Sequence, residues 1–312
     1  MNVVFMGTPD FAVPTLEMLI AENHTISAVV TQPDKPKGRG KTLSMPPVKE
    51  VALAHNIPVL QPVRIKGDEE FLSHIQSLNP DIIIVVAFGQ ILPESILNIP
   101  KYGCINIHGS LLPKYRGAAP IQWSILNEEP VTGVTIMYMD KGMDTGDMLL
   151  KKEMVIESTD TYETLHDKMK IVGANTLKEA WSMIINGGHE REKQNDDEAT
   201  YAPMIDKSLG EIHWDKTTSH IDAKVRGLNP WPGGYTYYQG NVMKVWQATS
   251  VADEGTDEKP GTILTVNKDG VLVKTGDGCL LIQELQMPNK KRMPVSEYIK
   301  GNTLEVGTVL GI

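Results

Sequence analysis

The chain has 312 residues, 41% hydrophobic and 22% charged, with a formal net charge of −9. That length predicts two domains, and the composition excludes a disordered chain, while the acidic total excludes a protein that coats nucleic acid over its whole surface. The longest strongly apolar run, Ile82 to Phe88, falls far short of the roughly 20 residues a membrane helix needs, and two cysteines, Cys104 and Cys279, are too few for a disulfide framework.

Val3 to Met6 is a short apolar run ending at Gly7, and Thr8-Pro9-Asp10 leads into a helical pattern through Leu16 and Leu19. The start carries Asp10 and no basic leader, so it reads as a first strand, with the cytoplasm as the expected location. A second strand, Ile26 to Thr31, enters a Pro/Gly-rich segment over 33 to 47. A helix over 47 to 55 then leads to a third strand at Pro58 to Leu60, and a helix over 68 to 78 leads to Asp81 to Val86. The branched apolar run at 82 to 86 suits a strand covered on both faces. This alternation predicts an α/β fold, a doubly wound and mostly parallel sheet of Rossmann-like type, whose ligands bind beyond the carboxyl ends of the strands.

Gly103 to His108 reads as a further strand, followed by a Gly/Pro-rich loop and a helix from about Ala118 to Leu126. Strands near 131 to 139 and 147 to 156 flank a Gly/Asp-rich turn, and a long helix over 160 to 186 follows. We expect a first domain over 1–188, a linker over 189–206 and a second domain over 207–312. In the last part, short alternating runs starting at Gly234, Val242, Thr262, Gly270 and Leu280 suggest five strands and a small β-barrel of oligonucleotide-binding (OB-like) type, with a plain sandwich as the alternative. From Lys207 onward there are 12 basic and 12 acidic residues, so the whole net charge lies before it.

Asn106 and His108 sit two apart in the strand that ends at Gly109, so both side chains leave the same face. The acidic turn from Asp140 to Asp147 belongs to a neighbouring strand pair and can bring a carboxylate to the imidazole. An amide, an imidazole and a carboxylate suit acyl transfer to an amine: the first two stabilise an oxyanion, and the third orients the histidine and assists proton removal. Taken alone, an Asn-x-His pair is more often structural than catalytic. No metal is expected, because no clustered ligand spacing appears among the eight histidines.

The longer wording narrows this. Asn106-Ile-His-Gly-Ser-Leu-Leu-Pro-Lys-Tyr-Arg-Gly-Ala-Ala-Pro-Ile-Gln122, followed by Gly142-Met-Asp144-Thr-Gly-Asp147, resembles the folate-dependent formyltransferases. Phe5 to Phe11, Thr31 to Asp34, Gly38 to Lys41 and Asn229 to Pro232 extend the resemblance over nearly the whole chain, toward members that act on an aminoacylated tRNA. The resemblance implies a catalytic trio of Asn106, His108 and Asp144. It implies folate contacts from Ser110, Leu111, Leu112 and Pro113, from the loop carrying Phe88, Gln90, Ile91 and Leu92, and from Asp140. For Phe88 and Ile91 the simpler reading is core packing. The implied co-substrate is 10-formyltetrahydrofolate, and the implied acceptor is the α-amine of methionyl-initiator tRNA; we expect a monomer with no membrane partner.

A tRNA must approach an acidic domain, so local cations have to act within a Debye length of about 8 Å. Lys35, Lys37, Arg39 and Lys41 supply four in seven residues, and the resemblance places Arg39 against the acceptor stem; Lys207 is the further candidate. Three other readings compete: formyl transfer to an aminosugar nucleotide, a non-catalytic RNA-binding protein, and a dinucleotide-dependent dehydrogenase. The last is weakest, because Met6-Gly-Thr-Pro-Asp10 lacks the GxGxxG phosphate turn.

Overall fold

The computed structural model describes residues 1–312 apart from 38–41, 188–189, 252–254, 256 and 312. The chain divides into two compact units, one of residues 1–120, 132–154 and 166–202, the other of 121–131, 155–165 and 203–312. The segments 121–131 and 155–165 precede the expected linker yet group with the second unit. Arg226 donates to Asp160 O at 3.0 Å, Glu163 N to Asn229 O at 3.4 Å, and Trp123 Nε1 to Pro203 O at 2.8 Å.

In the first unit a seven-stranded sheet contains β1 (Asn2–Gly7), β2 (Thr25–Val30), β3 (Val59–Leu60), β4 (Ile82–Val86), β5 (Cys104–His108), β6 (Val131–Tyr138) and β7 (Met148–Val155). Their order is β3-β2-β1-β4-β5-β6-β7. The first five are parallel, and β6 runs antiparallel to β5. Helices along this stretch of chain are α1 (Val13–Ala21), α2 (Pro47–Ala54), α3 (Glu69–Leu78), α4 (Glu94–Leu97), α5 (Pro120–Leu126), which groups with the second unit from Ile121 on, and α6 (Tyr162–Asn186). Asp68 caps α3 by accepting from Phe71 N at 2.9 Å, and Asn79 ends it in the left-handed region.

All five residues of β4 are buried, as its branched run predicts, and each such side chain contributes about 1.5–3 kcal/mol of apolar burial. Ile83, Val85 and Cys104 share one cluster with Phe71, Ile75 and Ile96 of the helices on that face. Gly173 of α6 lies on the opposite face, where an added Cβ would come within 3.0 Å of Ile107. Period-two alternation therefore assigns Ile105 and Ile107 to the α6 side. Asn106 and His108 continue the face begun by Cys104, at the strand's carboxyl end.

The second unit holds β8 (Gly234–Tyr238), β9 (Asn241–Val251), β10 (Ile263–Asn267), β11 (Gly270–Lys274) and β12 (Cys279–Gln286), the five strands expected from the alternating runs. They pair antiparallel in the order β8-β9-β12-β11-β10. Helix α7 (Thr218–Gly227) sets Ile221 and Val225 against Met243, Val245, Val273 and Ile282 in a single core. The fold class is thus a Rossmann-like α/β sheet followed by a mostly antiparallel β domain. Among the described residues no helix is long and apolar enough to cross a membrane.

Candidate active site

The end of β5 is set by its neighbours. Asn106 pairs with Val85 of β4, and His108 with Thr135 of β6. Thr135 is fully buried; its hydroxyl donates to Ser110 O at 2.7 Å and accepts from Leu112 N at 3.1 Å, fixing the loop that leaves the strand. Ser110 Oγ turns back to donate to Lys114 O at 2.6 Å. Leu112 packs with Met137 and Met148, and Pro113 follows a cis peptide bond. Leu111 is half-buried and lies over Gly133, where a Cβ would approach its Cδ2 to 2.7 Å. The four-residue loop is thereby a fixed wall, with Ser110 and Leu112 side chains turned into the protein.

His108 is 5% exposed, and its Nε2 lies 2.9 Å from Tyr115 O. A carbonyl only accepts, so this nitrogen carries a hydrogen and Nδ1 is the one left for chemistry. Nδ1 faces Asp144 Oδ2 at 3.7 Å. The carboxylate is aimed by its turn: Asp140 Oδ1 accepts from Gly142 N at 2.9 Å and Thr145 Oγ1 at 2.7 Å, and Asp144 adopts φ 55°. Gly117 N donates to Asp144 Oδ2 at 2.8 Å. Asn106 is 9% exposed, and among the described residues no group hydrogen-bonds its side-chain amide. Its amide is not among the buried polar atoms left without a partner, so it opens to solvent with its donors and acceptor ready for a ligand.

The loop after β4 folds sharply through Ala87 and Gly89, at φ 46° and 85°. Phe88 and Leu92 are each 2% exposed in the core cluster, so the packing reading holds for Phe88, whereas Ile91 is 72% exposed. Gln90 Oε1 accepts from Ile65 N at 2.9 Å, and its Nε2 donates to Pro62 O at 3.3 Å, so this side chain braces the loop. Phe88 O accepts from Thr8 Oγ1 at 3.1 Å and Gln32 Nε2 at 3.3 Å, linking the loop to the ends of β1 and β2. There a cavity of about 250 Å³ opens among Thr8, Pro9, Gln32, Pro33 and Met45. Its position is the crevice beyond the strand ends that a doubly wound sheet provides.

Of the proposed RNA contacts, Lys35 is exposed in a short hairpin of Lys35–Lys37 and Thr42–Ser44, and Lys37 lies at the end of its first strand. Arg39 and Lys41 lie outside the described residues. The hairpin's root is anchored: Asp34 accepts from Lys49 Nζ at 2.8 Å and from Gln61 Nε2 at 2.8 Å. The Lys49 hydrogen bond, aided by Gln61, holds the Asp34 carboxyl below its ordinary range. Lys207 is exposed in a short turn of the second unit, Lys207–Gly210.

Two residues of this site escaped sequence reasoning. Arg116 is 2% exposed and, beside Gly117, lies on the chain that meets Asp144; Gln194 stands in the segment expected to be linker. Arg116 was within the recognised wording, and its burial is what marks it; Gln194 carries no signal in the sequence. Elsewhere, Asp10, His166 and Asp167 come close enough to hold a cation, but Lys170 Nζ already contacts Asp10 at 3.3 Å and Asp167 at 2.7 Å.

Comparison with known proteins bears on the same residues. Residues 1–181 match the family model "Formyl transferase", and 204–303 match "Formyl transferase, C-terminal domain". Over 311 residues the chain is 60% identical to the methionyl-tRNA formyltransferase of Clostridioides difficile (strain 630), covering 100% of both. An N-formyltransferase from Helicobacter canadensis, solved with folinic acid and dTDP-3-aminofucose, is 22% identical with a TM-score of 0.69, over 93% of this chain and 99% of that one. HypX from Aquifex aeolicus, solved with tetrahydrofolic acid, is 18% identical with a TM-score of 0.65, over 96% of this chain and 47% of its own. These two solved structures share the fold.

Proposed function

The chain belongs to the formyltransferase family, among its methionyl-tRNA formyltransferases, and on that premise we propose that Asn106, His108 and Asp144 carry the transfer of a formyl group from 10-formyltetrahydrofolate to the α-amine of methionyl-initiator tRNA. The amine nitrogen attacks the formyl carbon, and the carbonyl π electrons move onto oxygen. Asn106 and His108 hold that oxyanion, the amide as donor and the imidazole through its Nδ1 side; a well-placed donor is worth roughly 2.7–4 kcal/mol of barrier. Asp144, 3.7 Å from Nδ1, orients the imidazole and takes the amine proton directly or through water. Collapse breaks the bond from the formyl carbon to N10 of the folate, which leaves with a proton, and the product amide departs. No covalent enzyme intermediate is needed.

The observation that carries this reading is the unengaged amide of Asn106 on the same face as His108, beside a carboxylate held by Gly117 N. The folate lies along the wall of Ser110 to Pro113, with Ile91 as its apolar neighbour, the backbone of 88 to 92 beneath it, and the turn closed by Asp140 at its edge. Lys35, Lys37, Arg39 and Lys41, with Lys207, meet the phosphates of the acceptor end. The protein acts as a monomer in the cytoplasm, without a bound metal.

The test is the purified protein with 10-formyltetrahydrofolate and, in parallel, methionyl-tRNA, free methionine and a dTDP-aminosugar. Formylation of methionyl-tRNA alone supports the reading; transfer to the aminosugar at a comparable kcat/KM overturns the choice of acceptor.

A further inference from the structure

We propose that Gln194, held in place by the buried Arg116, is a positioning residue for Asp144. Gln194 spends both hydrogens of its amide on the turn that carries the carboxylate, donating to Asp144 O at 2.7 Å and Gly146 O at 2.8 Å. Its Oε1 accepts from Arg116 Nε at 3.0 Å. An arginine can only donate, so this contact fixes which end of the amide faces which partner. The guanidinium is itself tied to Asp196 Oδ1 at 2.7 Å.

The consequence lies in how Asp144 is gripped. One dipeptide holds both its ends: Gly117 N contacts the carboxylate at 2.8 Å, and Arg116, through Gln194, reaches its main-chain carbonyl. The dipeptide in turn is fixed by parallel pairing of Arg116–Gly117 with Tyr201–Ala202, where Arg116 N donates to Thr200 O at 2.8 Å. Asp144 sits at φ 55°, a left-handed conformation open to Asp more readily than to most residues yet uncommon, so the turn gains from groups that hold it. Two amide hydrogen bonds across residues 144 to 146 supply that hold. Released, the turn is free to swing the carboxylate from its 3.7 Å approach to His108 Nδ1. A displacement of about 1 Å in a reacting geometry costs on the order of a hundredfold in rate.

This inference rests on the catalytic assignment of Asp144, so the experiment separates the two. Gln194→Met keeps the length of the side chain and removes all three hydrogen bonds; Gln194→Glu keeps the partner of Arg116 but sets a carboxylate against two carbonyls. For both variants we expect kcat to fall roughly 10- to 100-fold. Both KM values should stay within about twofold of the parent's, and the pH profile of kcat should be displaced because the His108–Asp144 separation has changed. A merely structural role would lower the melting temperature and leave that profile in place. Parent-like kcat in Gln194→Met, or recovery in Gln194→Glu, overturns the positioning role; should Gln194→Met fail to fold, Gln194→Glu decides. Asp144→Asn is assayed alongside. If it is inactive while Gln194→Met is normal, only the positioning role is lost; if Asp144→Asn is itself normal, the catalytic assignment falls and the positioning role with it.

Discussion

Nδ1 of His108 lies 3.7 Å from Oδ2 of Asp144, and that same oxygen accepts a 2.8 Å hydrogen bond from Gly117 N. The carboxylate is therefore held by the backbone and close to the imidazole without being spent on it. In Asp144→Asn the amide oxygen still accepts from Gly117, so the turn survives, but the charge is gone. We expect kcat to fall about 10²- to 10⁴-fold, measured by quenched flow at saturating substrates, with little change in melting temperature.

Asn106 gives the opposite balance of stability and activity. Its amide is unengaged by any described residue and opens to solvent, so removing it breaks no hydrogen bond within the protein. Asn106→Ala should melt at the parent's temperature or above it while losing on the order of 10²–10³ in kcat. A clear drop in melting temperature would show that the amide is structural.

The first half of this site was legible because it is local. Asn106 and His108 are two apart on one strand, and period-two alternation alone puts them on one face. Asp144 required the turn between β6 and β7, which a Gly/Asp-rich run announces. Gln194 was illegible: it lies 50 residues from Asp144 in the chain, in a charged stretch with no periodicity, and only the folded structure brings its amide to residues 144 and 146. The same holds for the second unit's borrowed segments at 121–131 and 155–165, which have the helix and strand patterns of the sheet they interrupt. Residues 88 to 92 were identified as a loop beside the site, yet the pattern does not say that Phe88 and Leu92 face the core while Ile91 faces out.

Gly146 admits no side chain, since a Cβ there would collide with the Tyr138 carbonyl oxygen; at Gly117, φ is 119° and a Cβ would stand 2.8 Å from Ala202 O. Backbone cannot retreat as a flexible side chain can. Gly146→Ala should destabilise the protein by about 1–3 kcal/mol in urea unfolding and depress kcat by displacing Asp144.

On the proposed reading the cations of the 35 to 41 segment serve tRNA and not folate. Replacing Arg39 by alanine should raise the KM for methionyl-tRNA, leave that for 10-formyltetrahydrofolate unchanged, and reduce the slope of log KM against log salt by about 0.7–0.9 for each phosphate no longer neutralised. An unchanged salt slope removes Arg39 from the interface.

At the root of that segment, the hydrogen bond from Lys49 holds the Asp34 carboxyl below its ordinary range. A depressed carboxyl stabilises the folded chain fully above its unfolded pKa, near about 3.9, and loses that contribution as pH falls toward the folded value. Asp34→Asn should therefore melt lower than the parent at pH 7, with the gap closing below about pH 4; a gap independent of pH would contradict the ion pair.

His108 decides the account. With Nε2 committed to Tyr115 O, Nδ1 is the nitrogen available to the oxyanion, and glutamine at this position would keep a polar group but not the ring nitrogen that faces Asp144. The single-turnover rate of formyl transfer from 10-formyltetrahydrofolate to methionyl-tRNA, at saturating concentrations of both, should drop about 10³-fold or more in His108→Gln while tRNA affinity is retained. A rate within tenfold of the parent's would place the chemistry elsewhere.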